Sequence, residues 1–147
     1  MTAESHKELL EFLEEGRKVL DDQLDRLVPP LGTYPPAIHE ALRYTLLLPG
    51  KRLRGNLVLA ACELLRGRRE NALPFACAVE MVHASSLILD DLPSQDNATL
   101  RRGQPVLHRV VGEANATLAA VALLNRGFGV TLENSLVREK VRNEAGE

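Results

Sequence analysis

The sequence has no tryptophan and few other aromatic residues. Phe, Tyr and Trp together make up 3% of its 147 residues, whereas β-strands are enriched in aromatic and β-branched side chains. Ala, Leu, Glu and Arg are abundant instead, and these residues have high helix propensity. The composition therefore argues against a β-sandwich and predicts an all-α protein.

Cysteine is also scarce. Cys62 and Cys77 are the two cysteines of the sequence, and they form no CxxC or Cys/His pattern. A disulfide framework and a zinc site both require more cysteines or a closer spacing. We therefore expect both thiols to be small buried hydrophobic groups.

The chain lacks an excess of either charge and lacks long apolar runs. It has 18 Lys and Arg against 20 Asp and Glu, for a net charge of −2, so no overall field attracts nucleic acid or an anionic membrane. Its longest apolar runs, Leu57–Cys62 and Leu118–Leu124, fall short of the ~20 residues that span a bilayer. The N-terminal residues contain no secretory apolar segment. We expect a cytoplasmic protein with no nucleic-acid partner and no stable membrane insertion.

Apolar spacing predicts five long helical segments. They run from about His6 to Leu27, from Pro35-Pro36 to Pro49-Gly50, from Leu53 to Leu65, from Asn71 to about Asp90, and from Glu113 to about Glu133. Ser5 with Glu8 forms a capping-box pattern, and Asn71 is a candidate N-cap. A polar loop is expected over Ser94–Pro105, and the tail from Leu136 is charged.

Polar side chains follow one stripe of the predicted fourth helix. His83 and Asp90 are seven positions apart, which places them within about 20° of each other around an α-helix. Ser86 lies between them on the same stripe. Since the other residues of this segment are mostly apolar, the stripe is expected to line a cavity.

An acidic cluster and then a pair of arginines follow at the end of that stripe. Asp90, Asp91 and Asp96 form an acidic cluster, and Arg101 and Arg102 follow a few residues later. Carboxylates are ligands for Mg²⁺, which usually binds through one or two of them together with substrate phosphates. Arginine forks bind phosphate directly. The pattern predicts that metal-bridged phosphates are held between the two groups.

A second basic element occurs earlier in the chain, at Gly50-Lys51-Arg52-Leu53-Arg54-Gly55. Lys51 and Arg54 are three positions apart and lie at a predicted helix start, where free N–H groups also favour anions. With His83 and Arg102 they can form a second phosphate pocket. Taken singly, the acidic pair can be an exposed cap, the basic run a solvated face and His83 a core histidine. Their combination favours magnesium-assisted handling of diphosphates.

These motifs resemble those of the trans-isoprenyl diphosphate synthases, or polyprenyl synthetases, especially the bacterial geranylgeranyl diphosphate synthases. The resemblance runs from about Tyr34 to Val130. It is carried by the aspartate-rich motif Asp90-Asp91-Leu-Pro-Ser-Gln-Asp96, by Leu100-Arg101-Arg102-Gly103 and by Gly50-Lys51-Arg52-Leu53-Arg54. It implies a helical-bundle prenyltransferase of isoprenoid biosynthesis. In this family an allylic diphosphate ionises with the help of Mg²⁺, and isopentenyl diphosphate attacks the carbocation.

The resemblance also implies residue roles. Asp90 and Asp96 would hold Mg²⁺ against the allylic diphosphate, Asp91 would support them, and Arg101 would bind the same diphosphate. Isopentenyl diphosphate would be bound by Lys51, Arg54, His83 and Arg102. Ser85 and Ser86 occupy positions that bear on product length in the family. Both are small, so geranylgeranyl diphosphate is the expected product, and replacing Ser85 with Phe is expected to shorten it.

The resemblance covers only one of the family's two aspartate-rich motifs. After Val111 the acidic residues are five scattered glutamates and no aspartate. The chain is therefore interpreted as the N-terminal portion of a polyprenyl synthetase domain. Residues 1–33 form its first helix and connection, residues 34–132 carry the motifs, and residues 133–147 form a charged tail. Two hypotheses stay open, a homodimeric synthase and a catalytically inactive half-fold that binds diphosphate or acts as a regulatory or partner subunit.

Overall fold

A computed structural model describes residues 3–134, which form six helices and one short hairpin. The helices are α1 (Ala3–Leu27), α2 (Pro36–Leu46), α3 (Leu53–Leu64), α4 (Arg69–Asp90), α5 (Leu107–Val111) and α6 (Glu113–Glu133). The hairpin pairs β1 (Leu100–Arg101) with β2 (Gln104–Pro105), Leu100 opposite Pro105. The all-α prediction is confirmed. The charged tail expected from residue 136 lies outside the described residues.

The five predicted helices are present, although α2 ends at Leu46 and not at Pro49-Gly50, and the short helix α5 was not predicted. Both predicted N-caps are wrong. The first helix begins at Ala3, so Ser5 lies inside its first turns. The fourth begins at Arg69, preceded by Arg68 in an extended conformation, so Asn71 is a helical residue. Arg69 and Glu70 are good helix formers and extend the helix past Asn71. The carbonyl of Asn71 instead accepts a hydrogen bond from Asn134, at 3.1 Å.

Helix α4 is the central helix of the bundle and packs between α3 and α6. Ala76, Cys77 and Met81 on this helix have no exposed surface. Burial raises the pKa of the Cys77 thiol to about 12, so this cysteine is an inert packing group, as predicted. Cys62 is also a free thiol but is only half-buried. Among the described residues, α4 alone has the length and composition of a membrane-spanning helix, and half of its most apolar window is buried within the bundle.

Two glycines allow α1 to approach the start of α3. A Cβ atom on Gly16 would lie 1.8 Å from the Asn56 side-chain oxygen, and one on Gly55 would lie 2.7 Å from Leu20 Cδ1. The Asn56 amide donates a hydrogen bond to the Leu13 carbonyl, at 3.2 Å. The first helix therefore packs directly against the segment that carries the Gly50–Gly55 element.

The loop after α4 is ordered by the hairpin. The sequence predicts a polar loop over Ser94–Pro105. The second half of this segment forms β1 and β2, with a turn at Arg102 and Gly103. Both turn residues have positive φ. The hydroxyl of Tyr44 on α2 donates to the Pro105 carbonyl at 2.8 Å and fastens the hairpin to the bundle. This attachment brings the two arginines of the hairpin next to α2 and α4.

Candidate functional site

A cavity of about 410 Å³ opens where α2 ends and α3 begins. It is lined by Pro49, Gly50, Lys51, Arg52, Leu53, Arg54, Glu80, His83 and Arg102. The four residues predicted to form the second phosphate pocket all lie in this wall. Since three of the four side chains are cations, we call this cavity the cationic pocket.

His83 and Arg54 form a hydrogen bond within the cationic pocket. Arg54 Nη1 lies 3.1 Å from His83 Nε2. A guanidinium group only donates, so Nε2 accepts and the imidazole proton is on Nδ1. Burial and the nearby Arg54 charge lower the pKa of His83. His83 is therefore neutral at neutral pH and leaves Nδ1–H as its donor.

This geometry predicts a pH dependence of stability. Because the pKa of His83 is lower in the folded than in the unfolded chain, the unfolded chain binds more protons below the ordinary value of 6.5. Stability should then fall as the pH drops through this range. We expect His83→Gln, which cannot titrate, to lose less free energy of unfolding than the wild type between neutral and acidic pH. Urea unfolding across this range measures the difference, and parallel curves for the two proteins would contradict it.

Arg102 enters the cationic pocket from the hairpin. Its Nη1 donates to the Pro49 carbonyl at 3.0 Å, and a Cβ atom on Gly50 would lie 2.3 Å from the same nitrogen. Burial and the neighbouring Arg52 charge lower the pKa of Arg102. The missing side chain at Gly50 is thus what allows this guanidinium to dock against the end of α2.

Gly50→Ala is expected to weaken anion binding without unfolding the protein. The added methyl group displaces the flexible end of Arg102 and not the backbone, so the free energy of unfolding should change by less than about 1 kcal/mol. Loss of one charged donor should weaken pyrophosphate binding about tenfold. Calorimetric titration measures this, with Gly129→Ala on α6 as the control. Equal affinities for the two variants would show that the docking of Arg102 does not matter.

The structure adds two buried charged residues that the motifs did not single out. The side chains of Arg52 and Glu80 are each 5% exposed, with 3.8 Å between Arg52 Nη1 and Glu80 Oε2. Glu80 also accepts the Gly55 backbone N–H at 2.9 Å. One signal in the sequence could have revealed Glu80, because it is an acid at a core position of α4, next to Met81 and three residues after Cys77.

The three aspartates of the acidic cluster lie in different surroundings. Asp90 and Asp96 are exposed, and the Asp96 backbone N–H donates to the Asp90 carbonyl at 2.9 Å. Asp91 is 4% exposed and accepts two hydrogen bonds from Arg101, both at 2.7 Å. These bonds raise the pKa of Arg101. Asp91 and Arg101 therefore form an ion pair, while the side chains of Asp90 and Asp96 remain exposed to solvent.

The open carboxylates fit a magnesium ion shared with a phosphate. Within residues 3–134 no three Asp, Glu, His or Cys side chains form a preassembled metal cluster. Mg²⁺ does not require one, because it keeps several waters and binds through one or two carboxylates plus phosphate oxygens. Asp90 and Asp96 offer two such carboxylates, and a hydrogen bond between their backbones joins the two residues. Asp91 is occupied by Arg101 and does not serve as a ligand in this arrangement.

Ser85 and Ser86 point into different environments. The Ser85 hydroxyl is buried and donates to the Ala120 carbonyl on α6 at 2.8 Å. The Ser86 side chain is exposed and donates to the His83 carbonyl within its own helix, at 2.9 Å. A phenylalanine at position 85 would have to force α4 and α6 apart. The role of Ser85 and Ser86 in product length stays a prediction, and the contact with Ala120 implies that Ser85→Phe also changes the packing of α4 on α6.

Known proteins with similar sequences are geranylgeranyl diphosphate synthases. The chain is 43% identical over 139 residues to geranylgeranyl pyrophosphate synthase 6, mitochondrial, of Arabidopsis thaliana, covering 90% of this chain and 41% of that protein. It is 48% identical over 121 residues to the heterodimeric geranylgeranyl pyrophosphate synthase large subunit 1, chloroplastic, of the same plant, covering 82% of this chain and 32% of that one. The chain thus spans well under half the length of these relatives.

The fold matches solved structures over the same portion. A farnesyl and geranylfarnesyl diphosphate (FPP/GFPP) synthase from Zymomonas mobilis superimposes with a TM-score of 0.82 at 36% identity, covering 86% of this chain and 45% of that one. The family model described as polyprenyl synthetase matches residues 35–143, a range that includes the cationic pocket, the acidic cluster and the hairpin. On sequence and fold together, this chain belongs to the polyprenyl synthetase family.

Proposed function

We propose that this chain contributes the isopentenyl diphosphate pocket and the first metal-binding wall of a prenyltransferase. The reaction is the Mg²⁺-dependent condensation of isopentenyl diphosphate with an allylic diphosphate to give geranylgeranyl diphosphate or a similar polyprenyl diphosphate. The observation that carries the proposal is the convergence of Lys51, Arg54, His83 and Arg102 in one cavity. A diphosphate that also binds Mg²⁺ fits a cationic pocket placed near two open carboxylates, Asp90 at the end of α4 and Asp96 in the loop after it.

The cationic pocket binds a diphosphate through charge-assisted hydrogen bonds. Lys51 and the two guanidinium groups supply cationic donors, and neutral His83 supplies Nδ1–H. The backbone N–H groups of the first residues of α3 add to the positive potential. Since Arg54 and Arg102 are already held by His83 and by the Pro49 carbonyl, these two groups need little reorganisation on binding.

The acidic cluster has a different role from the cationic pocket. When bound, Mg²⁺ neutralises charge that develops on the leaving diphosphate. Asp90 and Asp96 would hold the ion, and Asp91 keeps Arg101 in place so that its exposed edge can contact the allylic diphosphate. By the family resemblance, an apolar cavity lined by helices would shelter the carbocation from water.

A second candidate function is favoured by the distribution of acidic residues. Among the described residues after Val111, the carboxylates are Glu113 and Glu133, so no second aspartate wall faces the first. A chain of this kind can act as a diphosphate-binding or regulatory subunit that pairs with another protein. The name of the heterodimeric large subunit among its relatives is compatible with such pairing.

Self-association is part of the proposal. Exposed apolar side chains form a stripe along α6 at helical spacing, namely Leu118, Val121, Phe128 and Leu132. Contiguous apolar surface of this kind marks protein interfaces. A homodimer that buries the α6 stripe is the simplest assembly, and sedimentation analysis of the purified chain tests it against a monomer.

One assay separates the two functions. The chain is incubated with radiolabelled isopentenyl diphosphate, farnesyl diphosphate and Mg²⁺, and binding and incorporation are both measured. Incorporation by the chain alone supports the synthase. Binding without incorporation supports the subunit. Absence of binding at millimolar ligand would contradict both.

A further inference from the structure

Glu80 is out of place in a pocket for anions. Within the described part of the chain, it is the one carboxylate among the residues that line the cationic pocket. A negative charge there repels a diphosphate, so its presence requires a compensating role. Its two contacts, with the Gly55 N–H at 2.9 Å and with Arg52 at 3.8 Å, both fall on the segment that presents Lys51 and Arg54.

Arg52 is the centre of this arrangement. It has left-handed backbone geometry, with φ at 47°, a conformation that is unfavourable for a residue other than glycine. Its guanidinium donates to the Leu46 carbonyl at 2.8 Å and to Asp21 on α1 at 2.7 Å. Arg52 thus ties α1, the end of α2 and Glu80 of α4 to one turn of the backbone.

Asp21 is the member of this network that comes from α1. It also accepts a hydrogen bond from Arg17, at 3.0 Å, and its side chain is 33% exposed, whereas that of Arg52 is 5% exposed. A buried guanidinium needs its full set of partners, because an unpaired buried charge is strongly unfavourable. Helix α1 lies outside residues 35–143 that match the family model, so nothing in that match assigns it a role at the site.

We propose that Asp21 is a positioning residue of the cationic pocket. Through Arg52, and with Glu80 on the opposite side, it holds the turn over residues 50–54 in the shape that presents Lys51 and Arg54 to a diphosphate. The identity of the ligand rests on the proposed function, whereas the control of the turn by α1 does not. Helix α1 is then part of the binding machinery and not only a packing element.

The sign of the effect distinguishes positioning from plain electrostatics. Asp21→Asn makes the chain more positive, and by charge alone it should tighten the binding of an anion. If Asp21 instead positions Arg52, the same change should weaken binding. Asp22, the next residue on α1, is exposed, so Asp22→Asn makes the same charge change without touching Arg52.

The test is a calorimetric titration of the full chain with inorganic pyrophosphate at constant ionic strength. We expect Asp21→Asn to bind about tenfold more weakly than the wild type, from the loss of one charged hydrogen bond. Asp22→Asn should stay within about twofold, since exposed charges contribute little. Asp21→Glu, which keeps the carboxylate, should restore most of the affinity. Binding by Asp21→Asn that equals or exceeds that of the wild type overturns the proposal.

A second measurement needs no ligand. Amide hydrogen exchange at Gly55 reports on its bond to Glu80, with the amide of Leu123 in α6 as the internal reference. We expect exchange at Gly55 to accelerate in Asp21→Asn and not in Asp22→Asn, while Leu123 is unchanged. Equal rates at Gly55 in the two variants, or equal acceleration at both amides, refute the positioning role. If the wild type binds no pyrophosphate, the proposed function fails, and the exchange rates still decide the role of Asp21.

Discussion

Replacing Arg54 with Gln is expected to weaken the binding of isopentenyl diphosphate by about ten- to a hundredfold, the range for loss of a hydrogen bond to a charged group. Arg54 lines the cationic pocket and donates to His83 Nε2, so the change removes a cation and also frees the imidazole. Arg54 is exposed, and the fold should tolerate the substitution with a change of at most about 0.5 kcal/mol in stability. Calorimetric titration and thermal unfolding measure the two quantities.

The control for this prediction is Arg66→Gln. Arg66 is an exposed arginine beyond the far end of α3, and the helix from Arg54 to its last residue, Leu64, spans roughly 15 Å. The substitution Arg66→Gln makes the same change in net charge as Arg54→Gln, at a distance from the cationic pocket. Affinities reduced equally in both variants would mean that the chain attracts diphosphate only by its overall charge. A loss confined to Arg54→Gln locates the ligand.

Asp91→Asn should be the most destabilising of the aspartate substitutions. Asp91 is buried and forms a two-bond pair with Arg101, at 2.7 Å for each bond. Asparagine can accept one of these bonds, but it leaves the guanidinium without its counter-charge. Because Arg101 remains partly exposed and water can solvate it, we expect a loss of about 2–3 kcal/mol in the free energy of unfolding, less than for a fully buried pair. Urea unfolding measures this directly.

Asp96→Asn is the matched substitution and should behave in the opposite way. Asp96 is exposed, and its described contact is made by the backbone N–H and not by the carboxylate. Stability should therefore change by no more than about 0.5 kcal/mol. The increase in diphosphate affinity on adding Mg²⁺ should be lost, because the ion would lose one of two ligands. If Asp91→Asn and Asp96→Asn have equal effects on both measurements, the division between structural and metal-binding aspartates is wrong.

The positions of the helices could be predicted from the sequence because apolar periodicity and helix-breaking residues are local patterns. Apolar periodicity and the proline pairs placed α2, and the predicted segment Glu113–Glu133 agrees with α6. The caps were not readable in the same way. Ser5 and Asn71 have the residue types of N-caps, but neighbouring helix formers extended both helices beyond them. A cap preference of about 1 kcal/mol is easily outweighed by an added turn that packs or pairs.

Part of the candidate site, the cationic pocket, could also be predicted from local sequence motifs. Lys51, Arg54, His83 and Arg102 share a cavity as predicted, since the connection from α2 to α3, the middle of α4 and the hairpin meet there. The family resemblance already gave Asp91 a supporting role beside Asp90, but its pairing with Arg101 could not be predicted, because two adjacent aspartates at a helix end differ only in the direction of the side chain. The Asp21–Arg52–Glu80 network joins residues up to 59 positions apart, and no local pattern reports such a contact.

The most direct test of the central claim is a nuclear magnetic resonance titration of the chain, uniformly labelled with ¹⁵N, with isopentenyl diphosphate. Glycine amides resonate in a separate region, and the chain has them on both sides of the bundle. The proposed function predicts that the amides of Gly50 and Gly55, at the cationic pocket, shift in a saturable way. The amides of Gly67, in the connection between α3 and α4, and of Gly129, on α6, should not shift. Saturable shifts at Gly67 or Gly129 with none at Gly50 and Gly55 would contradict the account.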